Sequence, residues 1–385
     1  MATYKEQNKL NVPHLRFPKF YGEWCVSTIG EQFDLYSGNT PSRLNKEHFD
    51  GNVNWITSGE LKEHYISDTK EKISEDAATA NNLKLLHPGT FVIAIYGLEA
   101  DGVRGTGSIT CKESTISQAC MAFTQKGDVK NEFLYSWYKK HGNIIGIKYA
   151  QGTKQQNLSY DILEKFHIAY PSQDEQDKLI QFISLLDERI ATQSKLIEKL
   201  ESLIKGIAQH CIRELINGWE YVRLGDICKI TTGKLDANAQ VENGQYLFFT
   251  CAERPFNIDS YAFDTEALLI SGNGANLGYI NYYKGKFNAY QRTYVLDHFS
   301  VNIQYVKWAL KVLLPQRIAI EKSSSNTPYI VLSTLADLKI PIPNNSKQNH
   351  IADLMMSFER KLSTQLALSD LYNKQKQYLL RQMFI

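Results

Sequence analysis

The sequence lacks the features of exported and membrane-spanning proteins. Its first residues, MATYKEQNKLNVPHLRFPKF, contain no apolar stretch of the kind found in a secretory signal. No apolar run approaches the roughly twenty residues that a bilayer span requires. We therefore expect a cytoplasmic protein with no membrane partner. The chain has 385 residues, which are enough for two or three globular domains. Only 10 of these residues are prolines.

Cysteine is also scarce and shows no ligand pattern. The chain has no Cys-x-x-Cys pair and no His and Cys pairs at zinc-ligand spacing, so we expect no metal site. Without an export signal, the cysteines are expected to be reduced, small apolar residues of the core. There are six of them: Cys25, Cys111, Cys120, Cys211, Cys228 and Cys251.

Net charge is only +2, well short of a polybasic nucleic-acid coat. However, acids are absent from two windows. One lies between Glu132 and Asp161 and the other between Glu266 and Asp297, and both contain lysines. The second window also has one arginine and six aromatic residues. Such windows are consistent with phosphate contacts and also with ordinary solvated loops.

The chain contains an internal repeat. The segment GEWCVSTIGEQFDLYSG, from Gly22, matches NGWEYVRLGDICKITTG, from Asn217, with its Trp and two of its Gly residues at a constant offset of 195. Farther along, LEKFHIAYPSQDEQ matches LADLKIPIPNNSKQ at an offset of 172, which aligns Pro171 and Gln176 with Pro343 and Gln348. A period of this length indicates a duplicated domain rather than a solenoid of short repeats.

Each repeat ends in a segment with heptad periodicity. Apolar residues recur at steps of three and four, as in the seam of a coiled coil. The pattern is interrupted by Gln193 in the first copy and by Gln365, at offset 172, in the second. A buried polar seam position can fix the register between paired helices. The predicted seam is Ile183, Leu186, Ile190, Ile197, Leu200, Ile204 and Ile207 in the first helix, with Met355, Phe358, Leu362, Tyr372 and Leu379 in the second.

The remainder of each repeat is rich in Val, Ile, Tyr, Phe and Thr, which predicts β-strands. Short helices are predicted at Asn131–Gly142 and Ile303–Leu314, and Trp24, Trp55 and Trp219 are assigned to cores. The predicted fold class is therefore α+β, with two β-rich domains in tandem, each followed by a long helix. The predicted boundaries are a tail at 1–20, domain 1 at 21–171, a central helix at 172–216, domain 2 at 217–343 and a C-terminal helix at 344–385.

Two motifs suggest an enzyme that binds a nucleoside cofactor and methylates DNA. LLISGNGANLGYI, from Leu268, has glycines spaced like a nucleotide-binding turn, and NTPY, from Asn326, is one letter from an amino-methyltransferase motif. The segment after Gly278, YINYYKGKFNAY, predicts a strand and hairpin instead of a helix that could hold an anion. The NTPY segment follows a polar run and aligns with GTKQQNLS, which has no proline. We expect the glycines to form a tight turn between strands.

The order of these parts resembles the specificity subunit of type I restriction-modification systems. The resemblance covers essentially the whole chain, including NVPHLRFPKFYGEW, VNWITSGEL, QGTKQQNLS, GANLGYINYYKGKFNAYQRTYVL and LLRQMF. It implies two target-recognition domains that each read half of a split DNA site. It also implies helices that pair antiparallel as a spacer and as a dock for two methylation subunits.

The resemblance places cofactors and catalysis on other chains. S-adenosylmethionine is expected on the methylation subunits, and ATP and Mg on partner subunits that include the restriction subunits. We expect no catalytic residue, cofactor or metal here. A helix of about 35 residues spans roughly 50 Å, enough to hold two readers about one turn of double-stranded DNA apart, roughly 34 Å.

Polar side chains in predicted loops are the candidates for DNA contact, because Arg and Asn can bind guanine and adenine edges and Lys can bind phosphate. Each of them is also compatible with a role as a turn former or a solvated charge. The candidates are Arg43, Thr57, Arg104, Lys154, Gln155 and Gln156 in the first repeat, with Asn273, Asn276, Lys284, Lys286, Arg292, Ser324 and Asn326 in the second.

Two other functions are compatible with the sequence. One is a DNA adenine methyltransferase that acts alone, and the other is a coiled-coil scaffold whose β domains bind carbohydrate or peptide.

Overall fold

The structure, a computed structural model, describes residues 11–100, 102–152, 156–214, 218–322 and 329–385, with the backbone alone at residues 321 and 322. The chain divides into two compact units. Unit 1 lies within Met1–Thr192 and Ser369–Ile385, and unit 2 is Gln193–Leu368.

Unit 1 is built of short strands and helices. Its strands are β1 Cys25–Thr28, β2 Phe33–Ser37, β3 Val53–Ile56, β4 Tyr65–Ile66, β5 Lys72–Ile73, β6 Phe91–Ala94, β7 Gly107–Thr110, β8 Ser114–Ile116, β9 Cys120–Gln125 and β10 His167–Tyr170. Its helices are α1 Ile29–Gln32, α2 Glu75–Ala80, α3 Asn131–Tyr149, α4 Tyr160–Leu163 and the part of α5 Gln173–Gln209 up to Thr192.

The strands of unit 1 form a sheet of order β2-β9-β6-β7-β4, a smaller sheet of order β5-β3-β8, and the pair β1-β10. The larger sheet packs against α3, whose apolar residues such as Phe133 and Leu134 are fully buried. Phe91 and Phe123 complete this core from the sheet side, with ring centroids 5.4 Å apart. Burying side chains of this size is the main favourable term in folding.

Unit 2 repeats this plan with longer strands. Its strands are β11 Glu220–Arg223, β12 Lys229–Thr232, β13 Tyr246–Phe249, β14 Phe256–Ile258, β15 Phe263–Ser271, β16 Ile280–Ala289, β17 Thr293–Asp297 and β18 Lys339–Ile342. Its helices are α6 Leu224–Ile227, α7 Ile303–Lys322, α8 Leu332–Ala336 and the part of α9 Asn345–Met383 up to Leu368. A π-helical turn, His210–Glu214, follows α5.

The strands of unit 2 form a sheet of order β12-β17-β15-β16-β13-β14 and the pair β11-β18. Tyr305 and Leu310 of α7 are fully buried in its core, and Phe287 of β16 is buried on the other side of the sheet. The predicted α+β class, with a long helix after each β-rich domain, is confirmed.

Both units close with the same backbone hydrogen bonds. In unit 1 the Ile29 N–H donates to Phe166 O at 2.8 Å, and in unit 2 the Leu224 N–H donates to Leu338 O at 2.9 Å. These residues are related by the offsets of 195 and 172 seen in the sequence. The repeat therefore reflects one backbone framework that is present twice.

Gln176 and Gln348, at the start of the long helices, are buried and bind the same groups. The Gln176 side chain accepts from the Lys130 N–H at 2.9 Å and donates to Pro171 O at 3.1 Å. The Gln348 side chain accepts from the Asn302 N–H at 3.0 Å and donates to Pro343 O at 2.8 Å. Each glutamine thus joins its long helix to the first turn of α3 or α7.

The long helices pair within each unit. In unit 1, Lys376 donates to Asp187, and Arg189 Nη2 donates to the Tyr372 hydroxyl at 2.6 Å. From Asp187 to Arg189 the residue numbers rise along α5, whereas those of their partners, Lys376 and Tyr372, fall along α9. The two helices are therefore antiparallel, as predicted.

The predicted seam residues are buried or half-buried along these helices. Within unit 1 Ile183 is buried, while Leu186, Ile190, Tyr372 and Leu379 are half-buried; within unit 2 Ile197, Leu200, Ile204 and Met355 are buried, while Ile207, Phe358 and Leu362 are half-buried.

Two predicted helices are longer in the structure. The helix predicted at Asn131–Gly142 continues to Tyr149, and the one predicted at Ile303–Leu314 continues to Lys322 through Pro315. Gly142 does not end its helix because the glycine serves packing. A Cβ there would lie 2.7 Å from a Tyr138 ring atom and 3.0 Å from Gly105 Cα.

The expectation that all the cysteines are core residues is wrong. Cys25 and Cys111 are exposed and Cys251 is half-exposed, whereas Cys120, Cys211 and Cys228 are buried. The hairpin predicted within YINYYKGKFNAY is also wrong, because β16 runs through Gly285, which adopts a φ of +131°. This glycine accommodates an irregular strand conformation without a reversal of the chain.

Candidate nucleic-acid interface

In unit 2 the glycine-rich segment is a β-hairpin loop. It joins β15 to β16, with Gly274 and Gly278 at φ values of +80° and +82°. The Ser271 N–H donates to Tyr279 O at 3.0 Å, and the Gly278 N–H donates to Ser271 O at 2.8 Å. The predicted turn between strands is confirmed, and the segment that follows is a strand.

Unit 1 has an equivalent hairpin between β6 and β7. Its loop, described at residues 95–100 and 102–106, contains Gly97, Gly102 and Gly105, all with positive φ. The Leu158 N–H donates to Ile95 O at 2.8 Å, just as the Ile330 N–H donates to Gly272 O at 2.9 Å in unit 2. We call these two loops hairpin 1 (residues 95–106) and hairpin 2 (residues 272–279).

A tight turn contacts the base of each hairpin. In unit 1 the turn Ser117–Cys120 precedes β9, and the Ile95 N–H donates to Ala119 O at 2.9 Å. In unit 2 the turn Tyr290–Thr293 leads into β17, and the Gly272 N–H donates to Arg292 O at 2.8 Å. Hairpin and turn together form a small loop cluster that occurs once in each unit.

The structure brings two candidates of the first repeat together in this cluster. Arg104, in hairpin 1, donates from Nη2 to Gln156 Oε1 at 2.8 Å. The Gln156 N–H donates to the Glu99 carboxylate at 2.7 Å, and this hydrogen bond lowers the pKa of Glu99. Lys154 and Gln155 lie outside the described residues.

Arg43 and Thr57 lie elsewhere in unit 1 and are held by acids. Arg43 makes a bidentate ion pair with Glu71, both bonds at 2.8 Å, and its guanidinium lies 4.9 Å from the centroid of the Phe49 ring. The Thr57 N–H and hydroxyl both donate to Glu60, at 2.9 and 2.8 Å. These side chains already have partners, so a DNA contact would have to compete with them.

The candidates of the second repeat differ in how far they are engaged. Asn276, in hairpin 2, donates from Nδ2 to Cys251 O at 3.1 Å, and Asn273 is half-buried. Lys284 Nζ lies 3.5 Å from Glu266, and Lys286 Nζ lies 4.6 Å from the centroid of the Tyr261 ring. Arg292 is exposed at the turn. Ser324 and Asn326 lie outside the described residues.

A half-buried charge cluster in unit 1 is not evident from the sequence. His64 is stacked between the rings of Tyr65 and Tyr135, with centroids 4.1 and 4.0 Å away. Its Nε2 lies 2.8 Å from Glu132, and its Nδ1 lies 3.4 Å from Asp187. Burial acts to lower the pKa of His64, but the two carboxylates outweigh it, and the pKa is raised.

The position equivalent to Asp187 in unit 2 is Glu359, and its partners are different. Lys307 and Lys311 of α7 donate to its carboxylate at 2.6 and 3.1 Å. Burial acts to raise the pKa of Glu359, and the hydrogen bond from Lys307 together with the two lysine charges lowers it on balance. Both repeats thus neutralise an acid at the same helix position with cations from different elements.

Within the described residues, no group of three or more His, Cys, Asp or Glu side chains is arranged to hold a metal ion. No helix among them is long and apolar enough to cross a membrane. The described residues form two similar β-rich units, each with paired long helices and one hairpin-and-turn cluster.

This chain belongs to the type I restriction modification DNA specificity domain family. It matches that family over residues 21–202 and again over residues 216–368. The family provides the non-catalytic DNA-recognition component of type I restriction-modification systems.

Several characterised relatives are similar. The chain is 43% identical over 149 residues to the type I restriction enzyme EcoDI specificity subunit of Escherichia coli. This match covers 39% of the chain and 31% of that relative, so the chain spans about a third of that relative's length. It is 24% identical to the MjaIX specificity subunit of Methanocaldococcus jannaschii, over 83% of each chain.

Solved structures share the fold. The crystal structure of the type I restriction-modification system S subunit from M. genitalium has a TM-score of 0.64 at 18% identity, covering 97% of this chain and 99% of that one. A second, from work on complex assembly and conformational transition of the type I R-M system, has a TM-score of 0.59 at 17% identity, covering 93% and 96%.

Proposed function

We propose that this chain selects the DNA sequence for a type I restriction-modification complex and that unit 1 and unit 2 each read one half of a split, asymmetric target. The observation that carries this proposal is the loop cluster that occurs in both units. The hydrogen bonds that hold hairpin to turn are the same, while the side chains on the loops differ. One framework with two sets of side chains suits two unlike half-sites.

The chemistry of modification and cleavage is assigned to partner chains. Two methylation subunits dock on the paired helices and bring S-adenosylmethionine. Restriction subunits complete the complex, and ATP and Mg act on partner subunits. The whole assembly works in the cytoplasm, where the chromosomal DNA lies. The candidate residues already engaged by acids, such as Arg43 and Lys284, contribute to register on the phosphate backbone rather than to sequence selection.

The test is reconstitution of the full chain with methylation subunits on a library of degenerate duplexes, followed by sequencing of the methylated adenines. We expect a single bipartite motif, which is absent when this chain is omitted. Methylation that is independent of sequence would contradict the proposal and favour a scaffold with no DNA selectivity.

Equilibrium dialysis of the isolated chain against S-adenosylmethionine provides the second arm. We expect no retention, because the cofactor is assigned to the methylation subunits. Saturable retention, together with methylation by the isolated chain, would favour a methyltransferase that acts alone and would overturn the proposed division of labour.

A further inference from the structure

The turn Tyr290–Thr293 of unit 2 has a firmly held backbone. The Thr293 N–H donates to Tyr290 O at 2.8 Å and closes the turn. The two residues at its tip, Gln291 and Arg292, are tied to neighbouring segments. The Gln291 N–H donates to Leu235 O at 2.9 Å, and Arg292 O accepts from the Gly272 N–H at 2.8 Å. The direction in which the two tip side chains leave the backbone is thereby fixed.

The side chains of the tip are exposed at the edge of a recess. Its volume is about 300 Å³, and it lies between the ends of β12 and β17 and the first residue of hairpin 2. Gly272 is part of its wall, and a Cβ there would lie 2.5 Å from Arg292 O. The recess is lined by Thr232, Gly272, Gln291, Arg292, Tyr294 and Ile330.

Arg292 differs from the other cationic candidates in the polar contacts of its side chain. Arg43 is bound by Glu71, Arg104 by Gln156, Lys284 lies near Glu266, and Lys286 lies over Tyr261. In the part of the chain that the structure describes, the Arg292 guanidinium has no hydrogen-bond or ion-pair partner. A rigid backbone that carries an uncommitted guanidinium is prepared for a ligand, because little order has to be gained on binding.

The equivalent turn of unit 1 offers a direct comparison. Ser117–Cys120 is closed by the same hydrogen bond, from the Cys120 N–H to Ser117 O at 3.0 Å. Its tip residues are Gln118 and Ala119, and Ala119 O accepts from hairpin 1 as Arg292 O does from hairpin 2. The glutamine is common to both tips, whereas the second residue is alanine in one unit and arginine in the other.

We propose that Arg292 is a base-reading side chain of unit 2 and that its ligand is a guanine in the half-site that unit 2 recognises. The planar guanidinium can donate two hydrogen bonds to guanine O6 and N7 in the major groove. Ala119, at the same place in unit 1, has no donor and sets no such requirement for the other half-site. The inference rests on the proposed function and adds to it one residue and one base.

The test uses the full chain in complex with its methylation subunits and a library in which every position of the target is varied. Wild type is expected to require guanine at one position of one half-site. Arg292→Ala should relax that position by about 10- to 100-fold and leave the other half-site unchanged. Arg292→Lys keeps the charge but not the two-pronged geometry, so it should also relax that position while binding DNA more tightly than the alanine variant.

Lys284→Ala, which also removes one positive charge, serves as the matched control for lost charge. It should weaken binding evenly across sequences and reduce the dependence of binding on salt. If Arg292→Ala weakens binding evenly across sequences, as this control does, and keeps the guanine requirement, Arg292 is a phosphate contact and the inference is wrong. If the wild-type complex shows no sequence requirement at all, the proposed function itself is wrong. This result is distinct from one in which the wild type is selective and only the role of Arg292 is wrong.

Discussion

Gln193 donates from Nε2 to Gln365 Oε1 at 2.8 Å, so residues at the same position in the two repeats bind each other. Both interrupt an otherwise apolar heptad seam. Polar pairs of this kind contribute little net stability but penalise other registers, because a slipped register leaves a buried amide without a partner.

This pairing predicts strong coupling between the two glutamines. Gln193→Leu should cost about 1–2 kcal/mol in the free energy of unfolding, because it leaves the Gln365 amide without its partner. The Gln193→Leu/Gln365→Leu double variant should recover most of that loss, since both seam positions are then apolar. Urea unfolding of the wild type, both single variants and the double variant measures the coupling. Gln181→Leu, on an exposed face, is the control, and simple additivity of the single effects would refute the coupling.

Gln176 and Gln348 predict parallel effects in the two units. Gln176→Met keeps the size of the side chain but removes the hydrogen bonds to Lys130 N, Asp128 O and Pro171 O, at a cost of about 3 kcal/mol or more. Hydrogen exchange should accelerate in the first turn of α3. Gln348→Met should do the same in α7, and the exposed Lys178→Met should do neither. Unchanged exchange in both helices would mean that the glutamines are not what anchors them.

The charge cluster around His64 predicts a stability that depends on pH. Because the pKa of His64 is raised above its ordinary value of 6.5, its contribution is complete below that pH and is lost as pH rises through the raised pKa. Lys139 has the opposite effect on the free energy of unfolding at higher pH. Burial, and to a smaller extent the charge of Lys376, lowers the pKa of Lys139 to about 8. The contribution of His64 to the stability of unit 1 should therefore be lost as pH rises above about 6.5, and the opposite contribution of Lys139 should begin as pH rises through about 8.

His64→Gln is the variant that tests this prediction. It should remove the loss of stability that accompanies deprotonation of His64 above about pH 6.5, so the unfolding midpoint should fall less as pH rises. His87→Gln, at an exposed histidine, should leave the dependence as it is in the wild type. A pH profile identical in His64→Gln and wild type would show that the histidine does not carry the effect.

Two glycines predict a steric effect. A Cβ on Gly38 would lie 1.8 Å from Ile116 O, and one on Gly233 would lie 1.9 Å from Ala289 O. Alanine at either position should cost about 3 kcal/mol or more, the upper end of overpacking penalties. Gly59→Ala is the control, since open space surrounds Gly59. Thermal unfolding of the three variants measures the difference, and equal midpoints would contradict the close approach.

The sequence was sufficient to predict the repeat and the paired helices, because both depend on local periodicity and on spacing. Trp24 and the seam residue Ile183 are buried, and the glycine segment after Ser271 forms a turn. Helix ends were harder to predict. Glycine and proline usually end a helix, yet α3 continues through Gly142, which packs closely against Tyr138 and Gly105, and α7 continues through Pro315.

The contacts that define the loop clusters and the charge cluster could not be predicted from spacing. His64, Glu132 and Asp187 lie far apart in the chain and meet only because β4, α3 and α5 pack together. Residue type marks candidates for DNA contact, but it does not reveal that Arg43 is bound by Glu71 whereas the Arg292 guanidinium has no ion-pair partner among the described residues. The repeat aligns Gln118 and Ala119 with Gln291 and Arg292, and this difference between the two turn tips is the sequence signal that singles out Arg292.

The unlike cations at Asp187 and Glu359 have a consequence for the history of the molecule. Position 376, which supplies the lysine for Asp187, corresponds to position 204 of the first helix, and that residue is an isoleucine. If two copies of the first helix associated, each aspartate would face an aliphatic chain in place of an ammonium group. Divergence after duplication has therefore left the first helix better suited to the second than to a replica of itself.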